Sequence, residues 1–367
     1  MPRLRRQWNS TRFSGLIVIV TAALLLGSCS SLRYYAQAAR GQGELVFHRR
    51  SISAIVADPS TDPALAARLI QAQQARRFAS SQLGLPDNRS YTRYVELHRK
   101  DVVWNVFAAP RYSVDPIVHC FPIAGCVAYR GYFSEAAARQ ELARVRAQGD
   151  DAAMGGVAAY STLGWFADPI LSSMMRWDDD ELDRTIFHEL AHQLIYVRDD
   201  TTFNESFATF VQDEGMRQWR QSRGRTAQDT EAIENAFTER VLDLRQRLKT
   251  LYASGQDASA MEAGKQQEIA AFRQRFASWR EQVGPKAQPY DDWVAAPINN
   301  ARLLPFGLYD QWTPAFALLF RQSQQQWPVF YQRVRELANL PKAQRDASLV
   351  RLQPPAARPA TANVGLR

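Results

Sequence analysis

The stretch Ile186-Phe187-His188-Glu189-Leu190-Ala191-His192-Gln193 restricts this chain more than any other. It has no Pro or Gly and reads as helix, and helical residues four positions apart stand about 6 Å from each other on one face. That separation lets one ring nitrogen of His188 and one of His192 reach a single ion at about 2.0–2.1 Å. Glu189, one position on, points to the neighbouring part of the face. There it meets a water in an open coordination position and can take its proton. Phe187, Leu190, Ala191, Leu194 and Ile195 surround the polar trio with apolar residues, unlike a solvated charged helix. The spacing predicts a metal site, with one zinc ion (Zn2+) as the expected cofactor.

A catalytic site of this kind needs a third protein ligand and one open position. Thirteen residues beyond His192 comes Phe203-Asn204-Glu205-Ser206-Phe207-Ala208, helical in character, with Thr201 or Thr202 as capping candidate and Asp199-Asp200 supplying the turn. A second helix returning antiparallel would carry Glu205 to the ion. The same residues admit a plainer reading, in which Asn204 and Glu205 merely occupy a first helical turn, where the dipole favours acids.

The pair His188-Glu189-Leu190-Ala191-His192-Gln193 and Asn204-Glu205-Ser206-Phe207-Ala208 resembles the gluzincin metallopeptidases. The likeness is greatest to aminopeptidases of the alanyl-aminopeptidase and leukotriene-hydrolase type, whose ligand helix reads Asn-Glu-Gly-Phe-Ala. This resemblance implies His188, His192 and Glu205 as metal ligands and Glu189 as catalytic base. Those enzymes have a longer insert than the 12 residues found here, and their Gly-x-Met-Glu-Asn strand, which captures the substrate's free amine, is missing. A closer resemblance, over most of the chain, is to a bacterial family of predicted aminopeptidase lipoproteins. It is carried by Trp104 to Ala109, Cys120-Phe121-Pro122, Tyr129 to Phe133, Tyr160 to Phe166 and Asn299-Asn300-Ala301. The family name implies exopeptidase action on a peptide substrate; nothing in the spacing does.

Supporting groups are less constrained. Acyl transfer needs a donor for the carbonyl oxygen as it becomes an oxyanion. Tyr309 is the first candidate, with Tyr160 and Tyr196 behind it, although any one such residue is more often a packed aromatic. Tyr160 and Ser161 fall on an expected strand that could take substrate backbone by β-addition or simply sit in the core. Arg130 could receive a substrate carboxylate or form a structural ion pair. Against the peptidase stand a non-catalytic envelope scaffold on the same zinc fold and a zinc hydrolase of non-peptide amides or esters. The intact Glu189 favours the enzyme, since a scaffold has no use for a base there.

The formal charge of +8 is concentrated at the start: Arg3, Arg5, Arg6 and Arg12 lie within the first 28 residues, and without them about +4 remains. That argues against a nucleic-acid partner. These arginines are followed by the apolar run Leu16 to Leu26, too short to span a bilayer, and then by Gly27-Ser28-Cys29, the layout of a secretory signal. Leu26-Gly27-Ser28-Cys29 resembles the bacterial lipobox, which implies a lipid on Cys29 and a membrane anchor. Arg5-Arg6 lacks the rest of a twin-arginine pattern. Ser30, rather than Asp, after the lipobox Cys hints at the outer membrane, so the chain is expected in a bacterial envelope facing the periplasm. In that oxidising space Cys120 and Cys126 are expected to form a disulfide; two reduced, buried thiols is the other reading.

Along the chain, residues 1–28 read as leader and 29–150 as an N-terminal α+β region entered by a tether over 30 to about 60. Helices are expected over 62–83 and 134–147, and strands over 102–108 and 127–132. Residues 151–216 form the motif-bearing core, with a strand and turn over 155–166. An exposed helical hairpin over 217–285, broken at Ser254-Gly255, is a candidate surface for a protein partner. Residues 286–350 form a helical region completing the site, and 351–367 a disordered tail. The expected fold class is α+β, mostly helical: a zincin-like metallopeptidase core with a small sheet and a long hairpin insertion.

Overall fold

The computed structural model describes residues 32–121, 125–225, 229–309 and 311–353, except the side chains of 229–231 and 309. The leader, Cys29 and the tail from Pro354 lie outside the described residues. Helices dominate, and the strands are short.

A helix, α1, runs over 32–47 where the sequence suggested a tether. Gly41 lets it settle against the Phe133 ring, where a Cβ would stand 2.1 Å from the ring carbon. After β1 (Arg50–Ser51) and α2 (Ile52–Ala57) comes α3 (Pro63–Ser81), capped by Asp62, whose carboxylate accepts from Ala64 N. Strand β2 (Arg93–Val95) pairs with β1 and, in parallel, with β8 (Ile170–Leu171).

A second sheet positions the site. Its central strand β3 (Val103–Ala109) pairs antiparallel with β6 (Tyr129–Tyr132) and β7 (Asp151–Val157). Alternation along the strands gives the sheet two unlike faces. Val106, Tyr132, Ala108 and Ala152 pack on α4 (Glu135–Ala147). Asn105, Tyr129, Gly131 and Val157 face a cleft on the other side. Between β3 and β6 a small hairpin, β4 (His119–Phe121) and β5 (Gly125–Val127), is cross-linked by a Cys120–Cys126 disulfide. Of the strand and turn expected over 155–166, the strand is the end of β7 and stops at Val157. Residues 162–167 form the turn, because the buried Asp168 carboxylate gathers Thr162 N, Thr162 Oγ1 and Ser161 Oγ, and Leu163, Gly164 and Ala167 take positive φ.

Helix α5 (Asp179–Leu194) begins at Asp178, whose carboxylate accepts from Glu181 N, and acids fill its first turn. Helix α6 (Thr201–Ser222) is capped by Asp200 instead of the expected Thr201 or Thr202. The contacts Asp180 to Arg220, Arg184 to Asp213 and His188 to Glu205 run in opposite order along the two helices, which are therefore antiparallel. Gly215 permits the close approach: a Cβ there would meet Leu83 at 2.7 Å and Phe187 at 3.1 Å. On α6, Phe203, Phe207 and Phe210 interlock with Phe316, Phe320 and Phe330 of α11 (Thr313–Gln322) and α12 (Trp327–Ala338). This aromatic core fixes the helix that carries Glu205.

The hairpin of α7 (Asp229–Tyr252) and α8 (Ala258–Val283) is less exposed than expected. It buries Phe237, Leu244, Phe272 and Phe276 in a core of its own, shared with α9 (Asp291–Ala295) and α10 (Asn300–Tyr309). Among the described residues no helix is long and apolar enough to cross a membrane.

Two buried carboxylates give testable consequences. Asp200 and Arg345, on α13 (Lys342–Leu352), are 3% and 4% exposed and joined by two hydrogen bonds of 2.7 and 3.0 Å, with Lys342 Nζ at 3.3 Å. Arg345→Met removes the buried partner and leaves that carboxylate only the longer contacts of Lys342 Nζ and Phe203 N, which should destabilise the protein by about 3 kcal/mol, read by denaturant unfolding. Asp183, inside α5, accepts from Trp219 Nε1 and Gln71 Nε2 through one oxygen, and burial pushes its pKa up to about 7. The native state then holds a proton that the unfolded chain, with an ordinary Asp pKa of about 3.9, gives up first. Stability should therefore fall as pH rises from about 4 to about 7, by up to about 4 kcal/mol, and level off above. Asp183→Asn should flatten that slope in unfolding measured across this range.

Candidate metal centre and its cleft

His188 and His192 project side by side from α5, and Glu205 meets them from α6. The two Nε2 atoms are 3.1 Å apart, and Glu205 Oε2 lies 3.3 Å from the first and 3.6 Å from the second. All three side chains are buried. Three ligands held about 2.0–2.1 Å from a common centre at tetrahedral angles are about 3.3–3.4 Å from one another. The triangle thus fits one divalent ion at its centre, and two imidazoles and a carboxylate form a donor set suited to one.

The electrostatics agree with a cationic centre. Burial acts against charge on His192, but the Glu205 carboxylate outweighs it and holds the imidazole above its ordinary pKa. Burial likewise opposes ionisation of Glu205, yet the His192 and His188 rings hold that carboxyl well below the usual range.

The presentation of Glu205 depends on the loop between the helices. Asn204 pairs twice with Val197, its Oδ1 accepting from Val197 N and its Nδ2 donating to Val197 O, both at 2.7 Å. Asn204 is therefore a clamp on the returning loop and not just a residue of a first turn. Asp199 accepts from Cys126 N at 2.6 Å, so the disulfide hairpin is tied to the same loop. Ser206 Oγ donates to Leu308 O and accepts from Trp312 N, which binds the end of α10 to α6.

The triad opens into a cleft of about 310 Å³ between α5 and the sheet. Its walls include Glu189, which is half-buried, Tyr129, Asn105, Phe121 of the hairpin and Tyr34 of α1. A second pocket of about 420 Å³ shares Val157, Ala159, His188 and Glu189 with the first. There Glu181, Asp213 and Glu234 surround Arg184 at 3.9, 3.2 and 3.9 Å, three carboxylates to one guanidinium. Glu234 comes from α7, so the hairpin insertion contributes to the neighbourhood of the site.

The other expected site residues divide. Tyr160, Ser161 and Tyr196 line the cleft. Tyr160 packs on Phe133, and Ser161 donates to Asp168, in a loop and not on a strand offering its edge. The side chain of Tyr309 lies outside the described residues, as does Cys29. Arg130 is a correction: it faces the α4 side of the sheet, 3.8 Å from Glu141 and stacked 4.1 Å over Tyr34, because the pleat sends its neighbours Tyr129 and Gly131 to the cleft. It is not placed to receive a substrate carboxylate.

Tyr129 is the residue the sequence did not single out. Burial, then the charges of Glu205 and Glu189, push its phenol above the ordinary value, so it remains a hydrogen-bond donor facing the triad. The alternation Tyr129, Gly131 was visible in the sequence, but which face of the strand meets the motif helix was not.

A family model described as "Putative aminopeptidase" matches residues 33–349 of the chain. No curated protein and no solved structure matches it.

Proposed function

Since the chain belongs to the "Putative aminopeptidase" family, we propose that it is a zinc-dependent aminopeptidase of gluzincin type, on a zincin-like core. The observation that carries this reading is the triangle of His188 Nε2, His192 Nε2 and Glu205 Oε2 with Glu189 beside it in one cleft. His188, His192 and Glu205 would hold the ion. When bound, zinc makes water acidic and polarises a carbonyl oxygen.

The remaining steps belong to this chain's own groups. Glu189 removes the proton from the attacking water and returns it to the leaving amine. Tyr129 is the first candidate to donate to the carbonyl oxygen as negative charge develops there, with Tyr160, Tyr196 and Tyr309 as the others. The aromatic-walled pocket receives side chains on one side of the scissile bond. The carboxylate-rich pocket, where negative charge is in excess, favours the free α-ammonium on the other. The volumes are at the small end of ligand sites, which run from roughly 300 to 1,000 Å³, and suit a chain end.

Peptides with a free amine should be trimmed from the N-terminus one residue at a time, while the same peptides N-acetylated should be cut at least about tenfold more slowly, the loss of one charged contact of about 1.5 kcal/mol or more. Equal rates would remove the exopeptidase assignment. A metal-loaded protein that cleaves neither would leave the scaffold reading in its place. The first 29 residues support export and a lipid on Cys29, hence an envelope membrane facing the periplasm, with Ser30 favouring the outer one.

A further inference from the structure

One side of the molecule leaves large apolar side chains in the open. On α1, Leu32, Tyr35 and Phe47 are 71%, 46% and 83% exposed. At about 100° per residue they fall within one third of the helix circumference, a stripe that nothing in the fold covers among the described residues. Trp165 and Phe166, at the tip of the turn held by Asp168, are 70% and 51% exposed. Arg49 connects the two patches, its guanidinium hydrogen-bonding to Leu45 O in α1 and to Phe166 O in the turn.

The same side is basic. Arg33, Arg40, Arg89 and Arg93 make no ion pair with the described residues, and Arg50 is met only by the charge of Asp58. The nearby acids are already engaged: Glu44 pairs with Arg99 at 2.6 Å, Asp87 pairs with Arg76 at 3.1 Å, and Asp168 is buried in its turn. Exposed aromatic and aliphatic groups ringed by uncompensated arginines complement a surface that is apolar within and anionic at its rim.

We propose that α1 and the 163–167 turn dock in the plane of an anionic phospholipid membrane. The sequence before α1 supports this occupant over a protein: the apolar run Leu16 to Leu26 and Cys29 precede Leu32 directly, so whatever tethers the chain to a bilayer does so at this edge. The opposite face of α1 carries Tyr34 and Ala38, which line the cleft. Docking therefore places the cleft immediately behind a membrane-held wall and fixes its orientation to the lipid surface.

The test separates this face from the anchor. The full chain with Cys29→Ser, which cannot be acylated there, is compared with the same chain also carrying Phe47→Ser, Trp165→Ser and Phe166→Ser, by sedimentation with phosphatidylcholine vesicles with and without phosphatidylglycerol. Any binding through Leu16 to Leu26 is common to both. With phosphatidylglycerol the first chain should bind about tenfold or more tightly than the second, and high salt should reduce its binding. Equal binding of the two, failure of the first chain to bind, or indifference to phosphatidylglycerol would overturn the proposal. An unacylated Cys29 in the natural chain, read by mass spectrometry, would remove the anchor and leave this comparison standing.

Discussion

Glu189→Gln should lower kcat by about 10²- to 10⁴-fold, the usual contribution of a positioned general base, while bound metal stays at the wild-type level. The side chain shares the cleft with His188 and His192 but is not part of the triangle they form with Glu205. Gln keeps its shape and can still hydrogen-bond to water, but it cannot accept a proton at neutral pH. KM should change little. Metal analysis and steady-state kinetics on the same preparation are both needed, because a loss of activity with a loss of metal would indicate a damaged site. A Gln variant that cleaves peptides at the wild-type rate sinks the proposed mechanism.

Glu205→Ala should have the opposite signature, removing the metal along with the activity. Taking away one of three ligands should weaken binding by more than the roughly 100-fold seen when only a supporting group is lost. The readout need not involve catalysis. An ion present at 100 times its dissociation constant stabilises the native state by about 2.7 kcal/mol. The wild-type unfolding midpoint should rise accordingly on titration with a divalent ion, whereas that of Glu205→Ala should hardly move at the same concentration. Metal content and midpoint shift equal to wild type would mean that Glu205 is not a ligand, and the plainer reading of it as a first-turn acid would return. Asn204 and Ser206, which tie α6 to the loop and to α10, remain in that variant, so the helix keeps its place.

The clamps found around the triad explain why the site survives a short inter-helix connection. The six residues between α5 and α6 are held by Asn204 on Val197, by Asp200 as cap and by Arg345 on Asp200. The first two contacts join residues seven and three apart, and the third joins residues 145 apart, which makes the C-terminal helix α13 part of the candidate metal site's support although none of its described side chains lines the cleft.

The chain's own order of residues determined the local parts. His188 and His192 had to share a face because helical geometry sets the direction of residues four apart, and Asp62, Ser134 and Asp178 stood where helix caps are needed. Gly255 marked the break of the hairpin because positive φ comes without strain there. Tertiary structure alone decided what met across the cleft. That Glu205 turns to the imidazoles depends on Phe203, Phe207 and Phe210 locking the other face of α6. That Tyr129 faces the site while Arg130 does not depends on which side of β6 packs against α4. That residues 32–47 form a wall and no tether depends on Phe133 accepting Gly41. A periodicity of two or of 3.6 tells which side chains travel together, but the direction they face is set by partners distant in sequence, whose packing no local pattern encodes.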